Sequence, residues 1–190
     1  MACAELLLAA GATVDAQDRD GDTSLALAGW GRFPRLIELL LDAGANPNLV
    51  GTGNWTPLHW AVSAGCVEGV ALLIQRGAVV NAKTKSDETP LELALRRGLY
   101  QRVYPILLSA GASLPTSTHD DAYLERVVAA GGWARYERLH LDRLTAMLTP
   151  KTPPTDGRRR SRRRLSSPLR RVPAEVLRRI VAFAFHVGYY

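Results

Sequence analysis

Along the first 115 residues the apolar positions fall into two alternating textures. Leucine-rich runs stand at 5–10 (ELLLAA), 37–43 (IELLLDA) and 70–76 (VALLIQR), each followed at once by Gly-Ala. Between them lie three hexapeptides at a constant interval, TSLALA (23–28), TPLHWA (56–61) and TPLELA (89–94). Threonine before proline starts a helix: the hydroxyl caps the first free N–H groups, and proline costs nothing in the first turn. Leu58, Ala61 and Val62 then recur at the spacing of one helical face. Gly65 stops that helix. A second helix carries Val70, Leu72, Leu73 and Ile74 inward, and Gly77 closes it with a left-handed cap. A polar stretch with Asn81, Lys83, Lys85 and Asp87 leads to the next threonine. Each unit is too small to bury both of its helices, so the units must stack.

Other columns keep the same period. Asp15, Asn48 and Asn81 share one, as do the pairs Gly11-Ala12, Gly44-Ala45 and Gly77-Ala78. The next pair, Gly111-Ala112, comes one position later than that period requires, so a residue is inserted within 99–105. Pro105 nearby is expected to bend or shorten that helix. Position 59 is alanine in the copy before and glutamate in the copy after. No chemical task is common to Ala26, His59 and Glu92, which makes the repeat a scaffold.

The period of 33 and T-P-L-H-x-A resemble the ankyrin repeat over about residues 2–115. The resemblance implies an all-α solenoid of stacked helix–turn–helix units with loops projecting to one side. It also implies a structural histidine: His59 hydrogen-bonds backbone and steadies the loops. Ala26 and Glu92 would lose that bond, leaving their repeats looser. Arg32 stands where Gly65 and Gly98 stand, although Gly31 is adjacent. The family binds other proteins on a concave surface of loop tips and first-helix faces. Carried over column by column, that surface holds Arg19, Asp20, Asp22 and Trp30 in one repeat. The next supplies Thr52, Trp55 and Ser63, and the third Lys85, Glu88, Arg96 and Arg97. Trp30 and Trp55 are the expected hot spots, tryptophan being enriched there. Either could instead fold back over a packing gap, whereas Trp60 occupies a leucine column and belongs to the core.

The expected organisation is a half repeat at 1–22, full repeats at 23–55, 56–88 and 89–117, and a degenerate terminal repeat at 118–148. In the last, Tyr123, Leu124, Val127 and Val128 would face inward from one helix and Tyr136, Leu139 and Leu144 from the next. Residues 149–171 read as a basic disordered linker with prolines and no aromatics. Residues 172–190 read as an amphipathic helix, with Val176, Leu177, Ile180, Val181, Phe183, Ala184 and Val187 on one face. This helix is expected to cap the last repeat. Its opening, VPAEVLRRIVAFA, also resembles the start of an F-box-type segment, which would imply a substrate adaptor for a ubiquitin ligase.

Charge sharpens this division. Residues 151–190 hold eleven Lys/Arg against two Asp/Glu, leaving the first 150 with a net charge of −3 out of the total +6. The cluster Arg158, Arg159, Arg160, Arg162, Arg163 and Arg164 reads as a solvated linker, an import signal or a nucleic-acid contact. No aromatics interleave with it to stack bases. Ser161, Ser166 and Ser167 each have arginine three residues upstream, making them candidate phosphorylation sites. No nucleotide, protease or paired Cys/His motif is present, so neither catalysis nor a cofactor is expected. DRDGD (18–22) lacks the bidentate glutamate of a calcium loop and reads as a solvated turn. Cys66 reads as a small buried side chain rather than a reactive thiol. Two cysteines and no stretch long enough to span a membrane lead us to expect an intracellular monomer, cytoplasmic or nuclear.

Overall fold

The computed structural model describes residues 2–97, 102–115 and 122–148, with side chains to 143. The arginine cluster, the three candidate phosphorylation serines, the capping or F-box-like helix at 172–190, Gly98 and the Leu144 side chain lie outside these residues. The chain divides into two compact units, 1–125 and 126–190. The described residues form helices and no strands. In the first unit the helices are α1 (Ala2–Ala9), α2 (Ser24–Trp30), α3 (Pro34–Asp42), α4 (Pro57–Ala64), α5 (Val67–Gln75), α6 (Pro90–Arg96) and α7 (Tyr104–Ser109). Helix α8 (Ala122–Ala129) crosses the boundary, and α9 (Trp133–Leu148) belongs to the second unit.

Repeat columns become layers. Helices α2, α4 and α6 pack side by side as an inner row, with α3 and α5 behind α2 and α4 and α7 behind α6. Leu25, Leu58 and Leu91 share one column of the repeat, and all three are fully buried. Leu40, Leu73 and Leu107 hold the corresponding place in the outer row and are buried too. Each such leucine contributes about 1.5–3 kcal/mol of burial, so periodicity in sequence becomes a continuous core. Gly29 lets the inner row close up: a Cβ there would lie 3.2 Å from the Ala61 nitrogen and the Pro57 carbonyl.

Several inward assignments need correction. Leu72 and Ile74 are only half-buried, because Val70 and Leu73 define the covered stripe of α5. Pro105 lies in the first turn of α7, a helix of six residues, where its missing N–H costs no helical bond. Leu124 and Val127 are buried as expected, but Val128 is 47% exposed at the edge of their narrow stripe. Leu139 is 57% exposed, a quarter turn from the stripe formed by Trp133, Tyr136 and His140. The buried anchor of α9 is Trp133, which the degenerate repeat pattern did not reveal.

Candidate protein-binding face

The face is built from the starts of the inner helices. Thr56 caps α4 by accepting from the His59 N–H, while the Thr56 N–H donates to His59 Nδ1 at 3.2 Å. The Thr56 hydroxyl lies 2.8 Å from the same nitrogen. Nδ1 must therefore be the acceptor, which puts the proton on Nε2, where it is donated to the Glu88 carbonyl at 3.3 Å. His59 thus closes a capping box within one repeat and reaches the loop of the next. Burial holds its pKa below the usual 6.5, against the opposing effect of the Glu88 backbone bond.

Glu92 keeps the part of this function that lies within its own repeat. Its carboxylate accepts from the Thr89 N–H at 2.8 Å and the Thr89 hydroxyl at 2.9 Å, completing another capping box. A carboxylate two methylenes from Cα reaches the cap as an imidazole does. At Ala26 only the Thr23 half of the cap survives.

The loops are fastened tip to tip. Gln17 Nε2 donates to the Val50 carbonyl, the Thr52 hydroxyl to the Asp20 carbonyl at 2.6 Å, and the Lys85 N–H to the Gly53 carbonyl at 2.8 Å. Below the tips, Asn48 donates to the Gly77 carbonyl and accepts from the Val79 N–H. Asn81 repeats this one unit on, with Gly111 and Ser113. Asp15, in the same column, can only accept, taking the Asn46 N–H.

On this frame sits an aromatic row. Trp55, just before the Thr56 cap, packs on Trp60 four positions after it, with ring centroids 4.6 Å apart. This is a hydrophobic staple, a contact that fixes how the chain enters the helix. Trp30 meets Trp60 edge-on at 6.3 Å and stays 61% exposed. Trp60 is half-buried rather than core, with its Nε1 enclosed and unbonded.

The remaining predicted positions separate. Arg19, Asp20, Thr52, Lys85, Arg96 and Arg97 are exposed, and Glu88 is half-buried in a bidentate pair with Arg96. Ser63 is buried and offers little contact surface. Asp22 is buried as well, against Gly51. Cys66 is buried at the start of α5, where burial pushes its thiol pKa up despite the nearby Arg32 and the Gly69 N–H; this is the opposite of nucleophile activation. Among the described residues no group of three His, Cys, Asp or Glu could hold a metal ion, and no helix is long and apolar enough to cross a membrane.

Comparison with known proteins agrees with this geometry. A family model described as ankyrin repeats (3 copies) matches residues 30–118. Over 62 residues the chain is 42% identical to the E3 ubiquitin-protein ligase KEG of Arabidopsis thaliana. That stretch is 32% of this chain and 4% of the relative.

Proposed function

From a chain that carries three ankyrin repeats over residues 30–118, we propose a non-enzymatic scaffold that binds another protein across the loop tips and the Trp30–Trp60–Trp55 row. The observation that carries this reading is the aromatic row. An indole as exposed as Trp30 does little for the fold, yet it is placed beside two others on one face. Aromatic side chains held rigidly in this way are what binding hot spots are made of. Arg19, Asp20, Thr52, Lys85, Arg96 and Arg97 form the polar surround.

The test is a partner recovered by affinity purification and titrated against Trp55→Ala and Trp30→Ala. Each substitution is expected to weaken binding by about 2 kcal/mol. Because Trp55 also staples α4, its loss lowers stability by about 0.5–1.5 kcal/mol; Trp30→Ala leaves the melting temperature nearly unchanged. Equal affinities for both variants and wild type would remove the aromatic row from the interface.

A second reading, a substrate adaptor for ubiquitin ligation, is favoured by the ligase relative together with the F-box-like opening of 172–184. The shared stretch is too small a part of that relative to carry its activity across. Co-purification of a ligase scaffold with the full chain, lost on deleting 172–190, would support this role. Recovery that survives the deletion would end it.

A further inference from the structure

Comparing equivalent columns of the first and third repeats exposes a missing charge. Asp22 and Glu88 occupy one column, two periods apart. Trp30 and Arg96 occupy another with the same separation. In the third repeat acid and base satisfy each other: Arg96 Nε lies 2.6 Å from Glu88 Oε1, and its Nη2 lies 3.1 Å from Oε2. In the first repeat the acid is kept but the base has become tryptophan. Asp22 is only 8% exposed, and its Oδ1, enclosed against Gly51, has no hydrogen-bond partner. No described cation pairs with its carboxylate. Arg19, which is close in sequence, is exposed and makes no ion pair among the described residues. The surroundings are acidic rather than basic, since Asp18 and Asp20 share the loop. Asp18 is occupied in accepting the Asp20 and Asp22 N–H groups.

One oxygen of this carboxylate is enclosed without a donor and no described cation pairs with the group, so a counter-charge is what the position lacks. An exposed indole in the column of the missing base is the surface that attracts a cation through its π-face. We infer that the first repeat is a receptor for a cationic side chain of the partner, an arginine or lysine that takes between Asp22 and Trp30 the place Arg96 takes beside Glu88. This rests on the protein-binding reading above and specifies the partner's chemistry: a basic residue next to an apolar one, the latter lying on Trp55 and Trp60.

The test uses the full chain and a short peptide, acetyl-Gly-Arg-Pro-Leu-Gly-amide, with counterparts carrying citrulline or glutamate in place of arginine. Binding is followed through the indole N–H signals in nitrogen–proton spectra. The arginine peptide is expected to shift the Trp30 signal and to bind about tenfold more tightly than the citrulline peptide, a factor within reach of one cation–π contact plus one charge pair. Asp22→Asn should erase that difference. Trp30→Arg should fold as wild type by thermal melting, supply the missing base from within, and abolish the preference for arginine. Equal binding of arginine and citrulline peptides would overturn the inference, as would an undiminished preference in either variant. The two proposals can fail separately. If Trp55→Ala weakens the recovered partner while Trp30→Arg binds it normally, the face is an interface but the cation receptor is wrong. If neither variant changes partner affinity, both are wrong.

Discussion

His59 shows how one side chain can hold two repeats without doing chemistry. Its ring closes the Thr56 cap with one nitrogen and bonds the Glu88 carbonyl with the other. His59→Ala is expected to cost about 1–2 kcal/mol, the loss of a hydrogen bond with its buried partner left bare. His59→Glu should recover part of this, because Glu92 performs the capping half in its own repeat. Chemical denaturation of the three forms checks both. The pH dependence follows from the lowered pKa. Above pH 6.5 the ring is neutral whether folded or unfolded, and its contribution is complete. As pH falls below 6.5 the unfolded chain takes up a proton that the folded site resists, so stability declines until the lowered folded pKa is passed. His140, also lowered mainly by burial, acts in the same direction. The difference between wild type and His59→Ala therefore isolates His59, and it should narrow on acidification. The structural role of His59 was legible from the repeat column it shares with Ala26 and Glu92 together with the ankyrin resemblance. The equivalence of Glu92 was not, because it depends on side-chain reach rather than on residue type.

At the scale of the helix, the first two turns that join inner to outer helices differ. After α4, Gly65 takes the left-handed conformation at φ +69°. After α2, Arg32 takes it at φ +59°, while Gly31 beside it stays helical at φ −72°. A side chain there costs about 1–2 kcal/mol, offset in part by the freedom that glycine loses on folding. Arg32→Gly is expected to stabilise the chain by about 0.5–1 kcal/mol, and Gly65→Ala to destabilise it by about 1 kcal/mol. Thermal melts of both variants would show opposite shifts. Helix starts and stops could be read from threonine, proline and glycine because capping is local chemistry. The Trp55–Trp60 staple could have been read from the placement of the two indoles on either side of the cap. The exposure of Val128 and Leu139 could not, since it depends on how narrow a stripe their neighbours cover.

For the array as a whole, stability is expected to be graded along the stack. None of the α1 residues is buried, whereas α2, α4 and α6 are lined by fully buried leucines. Amide exchange followed by mass spectrometry should therefore be fastest over 2–9 and slowest over 57–64. Uniform protection across the first unit would contradict this. The period of 33 made the layers legible, but not what binds one layer to the next, because Asp15, Asn48 and Asn81 look interchangeable as polar loop residues. Geometry separates them: Asn48 and Asn81 each donate and accept across a joint, and Asp15 only accepts. When a stack is pulled from its ends, every joint carries the same load, and the one that buries least gives way first. The array is then a set of links in series whose weakest described link is the one that holds α1, a helix with no buried residue. Under tension it should unpeel from its amino-terminal side, one repeat at a time, and Asp15→Asn should raise the force of the first step while leaving the later ones where they were.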